Sequence, residues 1–459
     1  MSQRMANLDA VWLHMEEPSN LMVVVALLWF HQPVDWSRLK ARLNERLIER
    51  YPRFRQRVAE HAVGNPSWED DPTFRVEAHL HHVALPAPGD KAALSALVSD
   101  LMSTPLDFST SPWQMHLVDG YQGGCAMIAR IHHCIADGIS LARLLLSLAD
   151  EDHPGGVSAA VPEEDVAPGF HPITSVRRAL HRTRQVASSA LGQSIELLTQ
   201  PSRLAKLARS GVAGAEELGH LLALPADPPS VFRGELGVLK SVAWAPPLPL
   251  AELKQTCRAL GCTLNDALIS AVAGSIGRYL REQADPVDQI RAFVPVNMRP
   301  LDRPVPRTLG NRFSLVLLEL PVGEADPAAR LALVKARMDT LKGGVQAVVN
   351  FGLLNAIGAT PERVERVVVD IFGSKASAIM TNVPGPRAPL HLAGVQIAGM
   401  QFWVPQSGHV GLGVSIFSYA GEVTVSVACD AGLVSDPSAV IAGFGDEVQS
   451  LHERAQQLQ

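Results

Sequence analysis

Residues 131–146 read IHHCIADGISLARLLL, a stretch that combines a strand pattern, a turn and the start of a helix. Two adjacent histidines end the apolar strand, and the turn residues Asp137 and Gly138 separate them from a leucine-rich helix. A histidine at a strand end, beside a glycine that lets backbone or ligand approach closely, is suited to acid–base chemistry. The competing interpretation is a pair of core histidines before an ordinary turn. The combination of features favours acid–base chemistry.

His132, His133 and Asp137 also raise the question of a metal site. Adjacent residues of a strand point to opposite faces, so both histidines can hardly bind one ion without distortion of the strand. The sequence contains no H-E-x-x-H motif and no comparable cluster of Cys and His. We therefore predict no metal at this site.

The composition of the chain limits its function further. The 459 residues include 40 Lys and Arg against 46 Asp and Glu, and this net charge of −6 argues against a nucleic-acid partner. With 47% hydrophobic residues the chain can bury a large core. Five cysteines without a C-x-x-C pair favour free thiols in a reducing compartment.

Other common patterns of sequence are missing. The longest apolar run, residues 21–30, is shorter than the ~20 residues of a spanning helix, so we expect a soluble or peripheral protein. The window nearest to a G-x-S-x-G elbow, residues 273–277, lacks the first glycine. No Walker loop occurs, and no G-x-G-x-x-G follows a strand, so a nucleotide cofactor is not expected.

Hydropathy and turn residues divide the chain into two αβ units. A stretch rich in Gly, Pro and acids at 151–169 and a Pro-rich break at 224–230 enclose a helical stretch. We predict an N-terminal domain over 1–150, a linker over 151–235 and a C-terminal domain over 236–459. The predicted strands are residues 21–30, 113–118, 125–132, 290–297, 312–320, 376–382, 394–404, 410–418 and 422–429. The predicted helices follow Asp35 and cover residues 91–102, 139–149, 264–281 and a block from 326 to 372.

Residues 132–138 match the HHxxxDG signature of the CoA-dependent acyltransferase superfamily, which includes chloramphenicol and carnitine acyltransferases and the condensation domains of peptide synthetases. Nearly the whole chain resembles the bacterial wax ester synthase/acyl-CoA:diacylglycerol acyltransferase (WS/DGAT) family. Further motifs occur in the expected order: LDAVW at 8–12, followed by Pro18, then LNDAL at 264–268, VPVNMR at 294–299, GNR at 310–312 and TNVPGP at 381–386. Ser-Pro-Trp at 111–113 stands where the family has Pro-Leu-Trp, and the Asp-Phe-Gly-Trp-Gly signature of the superfamily is not found.

This resemblance implies an α/β fold with mixed sheets, built as two chloramphenicol-acetyltransferase-like domains with the active site in a channel between them. It implies transfer of a long-chain acyl group from acyl-CoA to a fatty alcohol or diacylglycerol, without a cofactor. His133 would be the general base, since a neutral imidazole can take the hydroxyl proton. Asp137 would be structural and pair with an arginine, for which Arg299 and Arg312 are both candidates.

The remaining site residues are weaker candidates. Asn265 could stabilise the oxyanion or position the substrate, or it could only cap the helix that it opens together with Asp266. His132 would pack or hydrogen-bond within its own domain, and Gly138 would keep the loop beside His133 free of side-chain bulk. Thr381 and Asn382 would touch pantetheine, or form only a turn beside proline. Residues 351–359 (FGLLNAIGA) could line a tunnel for an alkyl chain, or simply pack as a helix.

Two other functions compete with this one: a condensation-type enzyme that takes acyl groups from carrier proteins, and a lipid-surface protein with an inactive site. Residues 171–210 carry seven Lys and Arg and one acid, with apolar residues mostly three or four apart. This pattern predicts a basic amphipathic segment that is either a linker helix or a means of attraction to anionic lipid. We therefore expect a cytoplasmic enzyme that associates peripherally with the inner membrane or with lipid droplets.

Overall fold

The computed structural model describes residues 2–61, 64–150, 221, 223–299, 305–344, 346–358, 362–406 and 408–458. The basic segment 171–210 and most of the predicted linker lie outside these residues. No single helix within the described part has both the length and the apolar composition needed to cross a bilayer. The two consecutive helices Leu250–Leu260 and Leu264–Glu282 reach that composition only together, and they are bent by 98° at their junction.

The first sheet has six strands. Four belong to the N-terminal half: β2 (Val23–Phe30), β5 (Leu80–Ala84), β6 (Trp113–Tyr121) and β7 (Gly124–His132). Two belong to the C-terminal half: β13 (His391–Leu392) and β14 (Val395–Trp403). Their order is β13-β14-β2-β7-β6-β5, and β14 runs antiparallel to β2. The first 150 residues therefore do not form the complete first sheet by themselves. The domain boundaries given above (1–150, 151–235 and 236–459) stay a prediction.

The second sheet belongs entirely to the C-terminal half. It has the order β11-β10-β12-β15-β16-β8, and the short β9 also pairs with β16. These strands are β8 (Lys240–Trp244), β9 (Leu248–Pro249), β10 (Ile290–Asn297), β11 (Phe313–Leu320), β12 (Ala378–Pro384), β15 (Leu412–Tyr419) and β16 (Glu422–Asp430). A small third sheet is formed by β1 (Gln3–Arg4), β3 (Gln56–Ala59) and β4 (Ser67–Asp70).

Helices pack against both large sheets and bury their apolar faces there. The N-terminal half has α1 (Asn7–His14), α2 (Trp36–Leu43), α3 (Lys91–Ser103) and α4 (Gly138–Leu146), with shorter helical turns at Asn44–Ile48, Pro52–Arg55 and Val76–Ala78. The C-terminal half has α5 (Leu250–Leu260), α6 (Leu264–Glu282), α7 (Pro327–Gly343), α8 (Gln346–Ile357), α9 (Glu362–Gly373), α10 (Pro437–Ile441) and α11 (Phe444–Gln456).

The strands and helices predicted within the described residues are confirmed in type, with ends displaced by a few residues. Asp35 caps α2 as predicted, because its carboxylate accepts a hydrogen bond from the N–H of Arg38. The sequence patterns did not reveal the helices α1, α5, α10 and α11, the strands β5, β8, β9 and β13 of the two large sheets, or the small third sheet. The observed mixed α/β architecture, with one large buried core on each main sheet, agrees with the predicted fold class.

Candidate active site

The end of β7 and the loop that leads to α4 present the two histidines. His132 is the last residue of β7, and the N–H of His133 still donates to the carbonyl of Met22 at 2.7 Å, which holds the start of the loop against β2. The loop ends at Asp137, whose carboxylate oxygen Oδ1 accepts from the N–H of Ser140 at 2.8 Å and so caps α4. The position of His133 is thus set by a strand on one side and a capped helix on the other.

His132 and His133 have different surroundings. His132 is completely buried; its Nδ1 accepts from the N–H of Cys134 at 3.1 Å, and its Nε2 lies 3.2 Å from a carboxylate oxygen of Glu16. Both ring nitrogens of His132 are therefore used inside the protein. The His133 ring instead lines a cleft. The geometry leaves His133 as the histidine that a substrate can reach.

The His133 ring lies in a mostly apolar environment. It stacks on the indole of Trp12 with ring centroids 4.3 Å apart, and the Phe313 ring is 5.5 Å away. Burial lowers the pKa of His133 to about 4, against the opposing effect of the charge on Asp137. The imidazole is therefore neutral at pH 7 and has a lone pair available for a proton.

Asp137 joins the two halves of the molecule. Its second oxygen, Oδ2, accepts from the backbone N–H of Arg312 at 3.0 Å and lies 3.8 Å from Nη2 of Arg299. Arg299 also donates to the hydroxyl of Ser140 at 2.9 Å and to the carbonyl of Gly310. Of the two predicted arginines, Arg299 thus brings its guanidinium to Asp137, whereas Arg312 contributes only its main chain.

A second buried carboxylate, that of Asp9, supports the same loop from the other side. Asp9 Oδ1 accepts from the N–H of Asn311 at 2.7 Å and from its side-chain amide at 2.9 Å. The same amide also donates to the carbonyl of His133 at 2.7 Å. Burial raises the pKa of Asp9 to about 6, although the hydrogen bonds from Asn311 oppose this shift. Sequence reasoning missed this connection, and it also assigned no role to Trp12.

The signal for these two residues was present in the LDAVW motif. Asp9 and Trp12 are three residues apart in α1, so they share one face of that helix. Both side chains are buried although one is acidic and the other is large and carries an N–H group. A buried acid and a tryptophan on one helix face indicate specific partners, but nothing in the motif indicates that these are Asn311 and His133.

The cleft beside His133 has a volume of about 750 Å³, and both sheets contribute to its walls. Gly138, Ile139 and Ala142 of α4 form one side, and Thr381 and Asn382 of β12 form part of the other. A Cβ atom at Gly138 would lie 3.8 Å from Val404, an ordinary contact, so this glycine is not required by local packing. Its effect is to leave room in the cleft.

The structure corrects the prediction that Asn265 caps α6. The cap is Thr263, whose hydroxyl accepts from the N–H of Asp266, while the carboxylate of Asp266 accepts from the N–H of Thr263 at 3.0 Å. Asn265 instead accepts a hydrogen bond from the side-chain amide of Asn382 at 2.8 Å. Among the described residues that line the cleft, Asn382 is present and Asn265 is not. Thr381, the neighbour of Asn382, donates to the hydroxyl of Ser415 at 3.3 Å.

The described residues contain no group of three or more His, Cys, Asp and Glu side chains placed to hold a metal ion. The divergence of His132 towards Glu16 and of His133 towards the cleft is consistent with this finding. The chemistry available at the cleft is proton transfer by His133, with polar groups of β12 on the opposite wall.

The fold of this chain is similar to that of two solved structures. The wax ester synthase/diacylglycerol acyltransferase of Marinobacter aquaeolei superposes with a TM-score of 0.70 at 20% identity, over 99% of this chain and 100% of that one. The first condensation domain of the calcium-dependent antibiotic synthetase reaches 0.61 at 17% identity, over 99% and 96%. At these identities the likeness establishes the fold.

The chain belongs to the wax ester synthase/diacylglycerol acyltransferase family. The model of the family's catalytic domain matches residues 5–268, and that of its C-terminal domain matches residues 309–452. A probable diacylglycerol O-acyltransferase of Mycobacterium tuberculosis is 30% identical over 86% of this chain and 83% of its own length. A putative one from the same organism is 27% identical over 98% and 90%. The protein is therefore an O-acyltransferase, and the condensation-type alternative is not favoured.

Proposed function

We propose that the protein transfers a long-chain acyl group from acyl-CoA to the hydroxyl of diacylglycerol or a fatty alcohol, with His133 as the general base. The observation that carries this proposal is the mostly buried imidazole of His133, stacked on Trp12 at the wall of a cleft formed by both sheets. The related mycobacterial proteins are named diacylglycerol O-acyltransferases, which makes diacylglycerol the first acceptor to test. No cofactor is required, because a thioester is already an activated acyl donor.

The reaction follows from the geometry of the base. Since Nδ1 of His133 is buried, without a hydrogen-bond partner among the described residues, we assign the role of base to Nε2. Nε2 takes the proton of the acceptor hydroxyl. At the same time the hydroxyl oxygen attacks the thioester carbonyl, which forms a tetrahedral oxyanion. The C–S bond then breaks, the thiolate of CoA takes the proton from the imidazolium, and the ester and free CoA leave. A positioned general base contributes roughly 10²–10⁴ in rate.

The opposite wall would hold the reacting carbonyl. Asn382 lines the cleft, and its amide donates to Asn265, so the amide orientation is set before a substrate binds. We assign Asn382 to contact with the substrate and Asn265 to positioning Asn382, and we place Thr381 beside the pantetheine arm. In this proposal Asn265 does not stabilise the oxyanion directly, although the sequence alone allowed that role.

The test is a panel of acyl donors and acceptors. Palmitoyl-CoA is offered with a diacylglycerol, with hexadecanol or with neither, and release of free CoA is measured together with the lipid product. Ester formation that depends on the acceptor is expected with one or both alcohols. Transfer only from a palmitoylated carrier protein would instead support condensation-type chemistry, and no transfer from any donor would support an inactive site.

We also propose that the enzyme works at the cytoplasmic surface of the inner membrane or at lipid droplets. Support comes from the excess of six basic charges in residues 171–210 and from the insolubility of the proposed lipid acceptors. Substitution of Arg177, Arg178, Arg182 and Arg184 by Gln is expected to abolish salt-sensitive binding to vesicles that contain anionic lipid. Vesicles of neutral lipid are the control. Unchanged binding of the variant to the anionic vesicles would refute the proposed attraction of residues 171–210 to anionic lipid.

A further inference from the structure

A second cavity, of about 680 Å³, lies beside the cleft of His133. Its described wall is built from apolar side chains of α1, β10, β11, α8 and α9, and Asn350 is the one amide among them. One N–H of that amide donates to the carbonyl of Leu315 at 2.6 Å, and its Oδ1 is buried without a hydrogen-bond partner among the described residues, so Asn350 is the single polar point on an otherwise apolar wall. Leu353, Leu354 and Ile357 come from the stretch 351–359 that the sequence indicated as a tunnel wall. Such a space suits an alkyl chain and disfavours a charged or polar group.

The two cavities share one floor. Phe293 of β10 lines the apolar cavity, and Pro295, two residues further along the strand, lines the cleft. On β11, Leu315 lines the apolar cavity and Phe313 lines the cleft. Residues two apart on a strand face the same side of a sheet, so the two spaces lie end to end along β10 and β11.

Trp12 alone among the described residues lines both spaces. Its indole stacks on His133 and also on Phe313, at 5.5 Å between ring centroids, so it lies above the shared floor where one space passes into the other. The side chain is buried, and no described residue accepts a hydrogen bond from its Nε1–H group. Stacking and apolar packing against Met22 and Phe313 hold the ring, so the indole can turn without breaking a hydrogen bond to a described residue.

We propose that Trp12 is a specificity-determining residue that divides the catalytic cleft from the apolar cavity, so that a long alkyl chain enters the cavity only when the indole turns away from His133. This inference rests on the proposed function, because it concerns the acyl chain of the same donor. Short chains fit within the cleft while the wall is closed. Long chains must displace the indole, and they then gain contact with the apolar side chains of the cavity.

The experiment compares kcat/KM for butyryl-CoA and palmitoyl-CoA with one acceptor, in variants that open or fill the cavity. Trp12→Ala should raise the ratio of palmitoyl to butyryl transfer at least tenfold, because the wall is gone. Leu353→Trp should lower that ratio at least tenfold, because the new ring occupies the cavity. Val349→Trp, on the same helix but outside the cavity wall, is the matched control and should leave the ratio within twofold of wild type.

The double variant Trp12→Ala/Leu353→Trp shows whether Trp12 controls access to the apolar cavity or whether its removal disturbs the active site non-specifically. If Trp12 acts through the cavity, the double variant has the low ratio of Leu353→Trp. A high ratio in the double variant, or an unchanged ratio in either single variant, overturns the inference. Trp12→Phe keeps an aromatic ring against His133, but the smaller ring separates the two cavities less completely. It should give an intermediate ratio of palmitoyl to butyryl transfer, and it tests the inference if Trp12→Ala fails to fold.

Failure of the inference and failure of the proposed function remain distinguishable. A wild-type enzyme that turns over no acyl-CoA refutes the proposed function. An active wild type with unaltered chain-length ratios in the variants refutes only the role of Trp12. Binding of the fluorescent fatty acid cis-parinaric acid gives a readout without turnover: Leu353→Trp should weaken it at least tenfold, and Val349→Trp should not.

Discussion

Helices α4 and α6 begin in similar ways but are held in place differently. Asp137 caps α4 and also accepts a hydrogen bond from Arg312, 175 residues further along the chain. Thr263 and Asp266 cap α6 reciprocally, within four residues of each other. The start of α4 therefore depends on both halves of the molecule, whereas the start of α6 is a local structure. The difference indicates that contacts between the halves, rather than the helix-start pattern itself, mark the catalytic side of the cleft.

The largest expected effect comes from removing the base at the start of α4. We expect His133→Ala to lower kcat by roughly 10²–10⁴ with the fold intact, because the variant loses the base and the stacking of its ring on Trp12 but no hydrogen bond of Nδ1. Acyl-CoA turnover and thermal unfolding are measured on the same preparation.

His132→Ala is the matched control for that change. It removes the partner of Glu16 and of the Cys134 N–H, so it should cost about 1–3 kcal/mol of unfolding free energy. If His132→Ala were inactive at wild-type stability while His133→Ala retained its turnover, the assignment of the base would be wrong.

The two capping carboxylates provide the second prediction. Asp137→Ala loses the N-cap of α4, worth about 1 kcal/mol, whereas Asp266→Ala leaves the Thr263 cap of α6 in place and loses only the hydrogen bond from the Thr263 N–H. Asp137→Ala should lose about 1–3 kcal/mol more, because the Arg312 N–H loses its acceptor and the Arg299 guanidinium loses its ion-pair partner. It should also lower kcat, whereas Asp266→Ala should stay near wild type. Urea unfolding and turnover measure both effects; equal losses of stability would mean that the contacts of Asp137 with the C-terminal half contribute nothing.

The same contrast explains what the sequence could predict. The central strands of both large sheets and the helices after Asp35, at 91–102, at 139–149 and at 264–281 follow from patterns within a few residues, whereas the roles of His133 and Asp137 were implied by the family resemblance. The capping box of α6 was readable as well, because Thr263 and Asp266 have the Thr-x-x-acid spacing. Asn265 was given that role only because it stands at the start of the helix. The partnership of Asp9 with Asn311 joins residues 302 positions apart, and the crossing of β14 into the first sheet is equally non-local. No pattern in a single sequence indicates such pairings.

The third prediction concerns pH. The folded-state pKa of His133 lies below the ordinary value of 6.5, so the base remains neutral under mildly acidic conditions. The acid limb of kcat/KM against pH should therefore have its midpoint below 6.5, and Trp12→Ala, which exposes the ring, should move that midpoint towards 6.5. An acid limb at or above 6.5 in wild type would contradict the burial of the base.

The lowered pKa of His133 should also make the free energy of unfolding depend on pH. Between the unfolded pKa near 6.5 and the lower folded pKa, the unfolded state binds more protons at His133 than the folded state does, so this group reduces stability as the pH falls. His133→Gln removes that dependence. The variant should therefore become more stable relative to wild type as the pH falls from 6.5, as measured by urea unfolding at several pH values.

The smallest expected effect belongs to Asn265, at the start of α6. Its carbonyl oxygen holds the amide of Asn382, and this bond is exposed, so its net contribution is about 0.5–1.5 kcal/mol. Asn265→Ala should therefore lower kcat/KM by about tenfold at most. Asn265→Asp keeps an oxygen acceptor for Asn382 and should retain most of the activity. Because Asn265 is proposed to act through Asn382, the double variant Asn265→Ala/Asn382→Ala should be no slower than Asn382→Ala alone. A different result would show that Asn265 donates directly to the oxyanion: a 10³-fold loss of kcat in Asn265→Ala that also occurs when Asn382 is already alanine. The starts of both α4 and α6 would then carry catalytic residues.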